Sequence, residues 1–348
     1  MLGDVHIDAR NSSITFAEYF ELLYDHMFQY MLSNNIKTIV QFGDLFDRRK
    51  YINFNILKRA KANFFDKIRE YGMHMYVFVG NHDISYKNTL AVNSPTLLLA
   101  DYADCITVVT NPTELQVGST NYLMLPWICA ENYEQTMSAI EETNAPYCFG
   151  HLELTGYEMY KGSVCDHGFD PKIFAKFKKV YSGHFHHISE KGNIHYIGSP
   201  YQQFWSDYGD ERGYFVMDSG KVSFVKNPYD MFFKLKYDDS VPNALDMLNE
   251  DFSKYANRYV KVIIQTKNDL FLFENFIKAL EEAGANVTSV EDHKHRDIES
   301  ESEIVENAES MLDIFRKVSD TYTDKIDSEG LYSLLMDLYQ EATSLQDA

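Results

Sequence analysis

The chain has 348 residues, 45% of them hydrophobic and 15% aromatic, and carries a net charge of −20 at pH 7. This excludes a disordered chain and leaves room for one large core plus a smaller domain. No apolar run approaches membrane-spanning length, Met1-Leu2 does not read as a signal peptide, and the four cysteines lack C-x-x-C spacing, so a reduced, cytoplasmic setting without membrane contact is expected.

From residue 1 to about 227 the sequence alternates strand and helix. Phe16, Phe20, Leu23, Met27 and Met31 recur at helical spacing, and residues 36–42 follow as an apolar strand. Residues 55–71 are again helical and lead into a strand at 75–79. Short β-branched or aromatic runs at 147–149 and 180–182 read as further buried strands, and 214–217 with 222–225 read as a hairpin around Asp218-Ser219-Gly220. This βαβ rhythm predicts an α/β fold with sheets flanked by helices.

Residues 228–292 read as a second, α+β unit: strand 232–237, helix 241–252, strand 259–266, helix 270–283 and strand 285–290. It holds no cluster of metal-ligand residues, which suits a capping or docking domain. Residues 293–303 are a charged linker. Beyond it, Ile304, Ala308, Met311, Leu312, Phe315 and Val318 make one helical stripe, and Leu331, Leu334, Leu335, Leu338, Ala342 and Leu345 a second. The segment 304–348 either folds back on the body or docks on a partner.

The acid excess is uneven. From Glu291 to the end there are 16 acids and 5 bases, a net of −11, so more than half of the imbalance lies in the last 58 residues. The body keeps basic stretches. Lys58-Arg59-Lys61 reads as a solvated helix face, whereas Arg48, Arg49, Lys50 and Lys87 directly follow ligand motifs, where they would meet phosphates.

Five short stretches end in metal-ligand residues: Asp4-Val5-His6, Gly43-Asp44-Leu45-Phe46-Asp47, Gly80-Asn81-His82-Asp83, Gly150-His151 and Gly183-His184-Phe185-His186. Four of them follow a strand-like run. In an open α/β sheet, ligands bind beyond the carboxyl ends of the strands, so the five clusters are expected to converge on one site. Carboxylate, amide and imidazole donors suit Mn²⁺-like ions with open positions rather than a closed thiolate zinc site. Two ions about 3.5–4 Å apart can generate a hydroxide nucleophile and stabilise both oxygens of an in-line displacement at phosphorus.

In order and in residue type the five stretches resemble the calcineurin-like metallophosphoesterase superfamily, whose pattern is D-x-H, G-D-x-x-D, G-N-H-[DE], G-H and G-H-x-H. A single fragment such as G-D-x-x-D recurs by chance; five in register do not. Tyr196-Ile197-Gly198-Ser199-Pro200, the small second unit and the helical tail extend the likeness over nearly the whole chain. Together they make it similar to the nuclease subunit of the SbcC–SbcD-type DNA repair and recombination complexes, in particular the phage version.

The resemblance implies a two-manganese phosphodiesterase, with Mg²⁺ as the alternative metal. Asp4, His6, Asp44 and His186 would hold the first ion, and Asp44, Asn81, His151 and His184 the second, so that Asp44 bridges. His82 would donate the proton to the leaving oxygen or contact the transition state, Asp83 would orient the His82 imidazole, and Asp47 would be a supporting carboxylate. It further implies a capping domain, a homodimer, DNA ends as substrate, and a coiled-coil ABC-type ATPase gripped by the tail. The setting would be the host cytoplasm if the protein is phage-encoded. By alternation along an extended chain His187 points away from the metals and is structural. The histidines outside the motifs are read as surface or core residues, and Lys161 as a solvated loop residue.

The start of the chain departs from that pattern. A full strand precedes D-x-H in the superfamily, whereas Met1-Leu2-Gly3 alone precede it here. Either the natural start lies upstream or the first strand is lost, and loosened anchoring of Asp4 and His6 is expected. The leading reading is a DNA exo/endonuclease subunit. Two others stand beside it: a calcineurin-like phosphatase or nucleotide phosphodiesterase on small substrates, and a DNA-end or ATPase-binding scaffold with a degraded metal site.

Overall fold

A computed structural model describes residues 1–117, 120–160, 162–218, 220–291 and ten helical positions between 315 and 335. The chain divides into two compact units. The first comprises Met1–Gln203 and Gly209–Met231, the second Phe204–Tyr208 together with the chain from Phe232 on.

Among the described residues, two larger sheets and three two-stranded ones, including the expected hairpin of Gly213–Asp218 with Lys221–Lys226, lie in the first unit. Thr38–Gln41, His74–Phe78 and Ile106–Val109 form a parallel three-stranded sheet with His74–Phe78 in the middle. The second has six strands, in the order Ser189–Lys191, Ile194–Tyr196, Lys179–Gly183, Tyr147–His151, Thr120–Leu125 and Thr113–Val117. Its four central strands are parallel, and each edge strand is paired antiparallel to its neighbour.

Side chains of period two sort onto the faces of these strands. Tyr122 and Met124 join Val40, Phe42, Phe78, Phe149 and Tyr181 in one core, which draws on both sheets. Leu123 and Leu125 join Cys148, Val180, Ile194 and Ile140 in a second core on the opposite face. The helix Ile14–Ser33 starts at Ser13, whose hydroxyl accepts the Phe16 amide at 3.4 Å. It buries Phe16, Tyr19, Phe20, Leu23, Tyr24, Met27, Phe28 and Met31, and Phe20 stacks on Tyr201 with ring centroids 3.7 Å apart.

The helix expected at 55–71 is present but interrupted. Phe54–Ala60 and Asp66–Glu70 are α-helical, and Lys61–Phe65 between them is a π-turn. Its buried positions Ile56, Ala60, Phe64 and Ile68 are four apart, wider than the 3.6 of an α-helix, and the π-turn absorbs the drift.

The loosened first strand is not found. Leu2 pairs in parallel with Gln41, its amide reaching the Val40 carbonyl at 2.8 Å and its carbonyl taking the Phe42 amide at 2.9 Å. Pairing resumes past the motif, where the Ile7 amide donates to Leu45 and the Asp47 amide to Ile7. The Met1 ammonium donates to the Phe215 carbonyl at 2.8 Å, and burial pulls its pKa down to about 5. Asp4 and His6 are thus pinned on both sides by main-chain bonds.

In the second unit Phe232–Asp238, Tyr259–Thr266 and Asn286–Glu291 form a parallel sheet in that order, covered by the helix Leu270–Glu282. Asp269 caps that helix by accepting the Leu272 amide at 3.0 Å. The helix expected at 241–252 is instead two 3₁₀ turns, Ala244–Asn249 and Ser253–Tyr255. Pro242 and the left-handed Asn243, at φ +64°, prevent an α-helical start there. Phe204–Tyr208 joins this unit from within the first unit's sequence: the Lys261 ammonium lies 4.6 Å from the Trp205 ring centroid and the Lys234 ammonium 5.2 Å from that of Tyr208. Lys161, the linker and nearly all of the tail lie outside the described residues. Among the described residues no helix is long and apolar enough to cross a membrane.

Candidate metal centre

Each ligand stretch emerges where a strand stops. Asp44 follows Thr38–Gln41, Asn81 follows His74–Phe78, His151 ends Tyr147–His151, and His184 with His186 follow Lys179–Gly183. Asp4 and His6 leave the short pairing at Leu2. The carboxyl ends of both sheets therefore supply the site.

Two motif glycines allow the loops to close. A Cβ on Gly80 would collide with Asp44 Oδ1, and one on Gly183 would stand 2.6 Å from Asp4 Oδ1. Three ligand candidates hold left-handed backbone, His6 at φ +49°, Asp44 at +50° and His184 at +83°. Such strain in non-glycine residues collects at functional sites.

The donor atoms gather in two sets. In the first, His6 Nε2 and His186 Nε2 are 3.0 Å apart, and His186 Nε2 lies 3.7 Å from Asp4 Oδ2. In the second, Asn81 Oδ1 is 2.9 Å from both His151 Nε2 and His184 Nδ1. Asp44 Oδ2 stands between them, 3.3 Å from His151 Nε2 and 3.9 Å from His6 Nε2. Asp4, His6 and His186 form one metal-capable group, and Asp44, His151 and His184 another. A third, of His6, Asp47 and His82, overlaps the first. All donors are oxygen or nitrogen, and the four cysteines are buried and belong to none of these groups. The residues fit a pair of hard-to-borderline divalent ions.

The charges balance in a characteristic way. Burial works against a proton on His6, but the adjacent Asp47 carboxylate and those of Asp44 and Asp4 outweigh it and push the imidazole up to about 9. His151 is likewise raised to about 9, burial being overcome chiefly by Asp44. Burial and the neighbouring His6 hold His186 well below its usual range. Burial raises Asp4, whereas Asp44, although buried, is held well below the usual carboxylate value by His151 and His82. A cluster of anions that draws protons onto its imidazoles is a cluster suited to cations.

Around these donors lies a layer that orients them. His151 Nδ1 donates to the Phe42 carbonyl at 2.6 Å, and His82 Nδ1 to the Asp47 carbonyl at 2.8 Å. The Asp47 carboxylate faces His6 Nδ1 at 3.3 Å. His184 turns its Nε2 to Glu153 Oε1 at 3.4 Å. Glu153 is a residue that the motifs do not include. The spacing His151-Leu152-Glu153 was its signal, since alternate residues of an extended chain share a face.

Asp83 does not orient His82. Its buried carboxylate accepts the amides of Gly80 at 2.9 Å, Phe46 at 3.0 Å and Leu45 at 3.3 Å. It ties the third ligand loop to the second, and burial with the nearby Asp44 charge raises its pKa to about 6. The imidazole is oriented by the Asp47 main chain instead, because the backbone turns successive side chains apart. His187 lies outside the donor sets, 2.7 Å from Asp210 and 3.3 Å from Glu158.

The basic residues differ in freedom. Arg48 donates to Asn11 Oδ1 at 2.7 Å and lies 4.9 Å from the Tyr51 ring centroid. Arg49 is half-buried, and Lys50 and Lys87 are exposed. Trp127 flanks the second donor set, its ring 5.1 Å from His184 and 5.9 Å from His151.

Two comparisons agree with this geometry. The chain is 30% identical over 318 residues to exonuclease subunit 1 of Enterobacteria phage T4, an alignment that covers 90% of each protein. The family model of the calcineurin-like phosphoesterases matches residues 1–207, the stretch that carries every residue of both donor sets. Donor sets, strand-end placement and sequence match lead to one assignment: the chain belongs to the calcineurin-like phosphoesterase family.

Proposed function

We propose that the chain is the nuclease subunit of a DNA-processing complex, a metal-dependent phosphodiesterase that hydrolyses DNA at its ends. The observation that carries the reading is the position of Asp44 Oδ2 between the two donor sets. It is the arrangement needed to hold two ions side by side, and the full-length likeness to a phage exonuclease subunit supports DNA as the substrate. Manganese is the metal we favour, because the donors are carboxylate, amide and imidazole.

Asp4, His6, Asp44 and His186 would hold one ion, and Asp44, Asn81, His151 and His184 the other. Bound there, the pair supplies Lewis acidity at the phosphoryl oxygens and a nucleophile at neutral pH. The protein's own groups do the rest. His82 has Nδ1 committed to Asp47, which leaves Nε2 as the nitrogen that exchanges a proton with the leaving oxygen. Asp47 and Glu153 hold ligand imidazoles in register, and Arg49, Lys50 and Lys87 meet the DNA backbone.

The name of the T4 relative as a subunit supports a partner. We assign that role to a coiled-coil ATPase docked on the tail, with the second unit as a cap and two copies of the chain in the complex. The test is cleavage of end-labelled linear duplex DNA by the purified chain with manganese, magnesium or chelator. Hydrolysis confined to small phosphomonoesters would instead favour a phosphatase, and loss of ATPase co-purification on truncation after Ser302 would place the dock in the tail.

A further inference from the structure

A histidine offers a metal only one lone pair, and the acceptor on its other nitrogen decides which. For His151 and His82 that acceptor is a main-chain carbonyl, which no substitution removes. For His184 it is a side chain. Nδ1 faces Asn81 Oδ1 at 2.9 Å, on the ligand side, and Nε2 faces Glu153 Oε1 at 3.4 Å. Both oxygens only accept, so the hydrogen belongs on Nε2 and the lone pair on Nδ1 once an ion takes the place between Nδ1 and Asn81 Oδ1. The rings of Trp127 and Phe185, 5.1 and 4.9 Å away, limit the tilt of the imidazole, yet aromatic carbon does not select a tautomer. Glu153 is itself held in place: its carbonyl accepts the Phe169 amide at 2.9 Å, and Oε1 also meets His167 Nε2 at 3.3 Å.

We propose that Glu153 is a positioning residue for the second metal set, fixing His184 as the Nε2–H tautomer so that Nδ1 is presented beside Asn81 and His151. This rests on the two-ion reading of the site. It makes Glu153 selective, acting on one ion and leaving the other, which Asp4, His6 and His186 would hold.

The full-length protein is compared with Glu153→Ala, Glu153→Asp and Glu153→Gln at pH 8, with magnesium chloride for the spectra and manganese chloride alone for the titrations. Long-range ¹H–¹⁵N spectra of the histidine rings are expected to show His184 as the Nε2–H tautomer in the parent and in Glu153→Gln, whose amide oxygen still accepts. In Glu153→Ala, and in the shortened Glu153→Asp, the ring should become a mixture. Calorimetric titration should show one of two manganese sites weakened by about 10–100-fold in the Ala and Asp variants, with the other unchanged. Glu153 is partly exposed, with 27% of its side chain accessible, and the Asp variant serves if Ala does not fold. An unaltered tautomer with unaltered affinities in either variant overturns the proposal. A parent protein that binds fewer than two ions overturns the two-ion reading instead, whereas two ions bound with parent affinity by the Ala and Asp variants overturn the role of Glu153 alone.

Discussion

His82 Nδ1 stands 2.8 Å from the carbonyl oxygen of Asp47, and this one contact sets which imidazole nitrogen is committed to the backbone. Asp47 also turns its carboxylate to His6 Nδ1 at 3.3 Å. One residue of the second motif thereby faces one imidazole with its side chain and holds another with its main chain. The His6 and His82 rings meet edge to face, 4.8 Å between centroids, so neither tilts independently of the other.

His82 belongs to neither donor set, so its removal separates chemistry from metal binding. His82→Ala should keep both ions and lose about 10²-fold or more in single-turnover hydrolysis, the scale of a positioned acid or base. An undiminished rate at full occupancy removes His82 from the reaction.

Asp44 behaves in the opposite way. Its Oδ2 lies within 3.3 Å of His151 and 3.9 Å of His6, and its Oδ1 accepts the His82 amide at 2.8 Å. Asp44→Ala should therefore empty both positions, whereas substitution of a ligand in one set should empty one. Elemental analysis after dialysis reads this directly, and full occupancy in Asp44→Ala would refute the bridging assignment.

Asp83→Ala should damage the fold rather than the proton transfer. It leaves the Gly80, Phe46 and Leu45 amides without their acceptor, at about 1–3 kcal/mol for each buried donor. The expected result is a clear drop in melting temperature together with weakened metal binding, since both ligand loops lose their tie. A variant as stable as the parent, impaired in turnover alone, would restore Asp83 to a role at His82.

What the sequence made legible was whatever is local. Ligands that sit at the ends of apolar runs, in motifs a few residues long, can be read in order, as can strands and helices with clean periodicity. The roles of Asp83 and Glu153 depend on partners far along the chain: the Phe46 amide for one, the His184 ring for the other. Neither partner is visible from spacing alone. The same holds for Leu2, whose pairing with Gln41 replaces a full strand, and for Phe204–Tyr208, which joins a unit otherwise built from residue 232 on. The π-turn at Lys61–Phe65 was hinted at by apolar positions four apart, a spacing close enough to 3.6 to pass as α-helical.

Metal binding should release protons. His6 and His151 are raised to about 9 from an ordinary value of 6.5, so both carry protons at pH 7 before an ion arrives. A proton competes with the ion, and the apparent affinity should rise with pH, by up to about tenfold per unit for each proton displaced, until it levels near pH 9. The metal-free fold runs the other way. Raised histidines contribute stability that is fully present below about 6.5 and lost as pH climbs through about 9. Calorimetry in two buffers of different ionisation enthalpy counts the protons released. A count of zero at pH 7 would mean that the imidazoles are already neutral.

Salt dependence locates the DNA. More than half of the chain's net negative charge lies from Glu291 onward, so binding must rely on local cations near the metal centre. Arg48 is occupied by Asn11 and Tyr51 and serves the loop itself. Arg49, Lys50 and Lys87 are the better candidates for meeting phosphates, two of them being exposed. Reversing these three to glutamate should weaken duplex binding and flatten the slope of log affinity against log salt by about 0.9 for each phosphate no longer neutralised. Metal content and melting temperature should stay at the parent values, since none of the three belongs to the donor sets. Fluorescence anisotropy on a labelled duplex with calcium in place of manganese, over roughly 50 to 200 mM salt, gives the slope. An unchanged slope would place the DNA on another face and leave these residues as ordinary solvated cations.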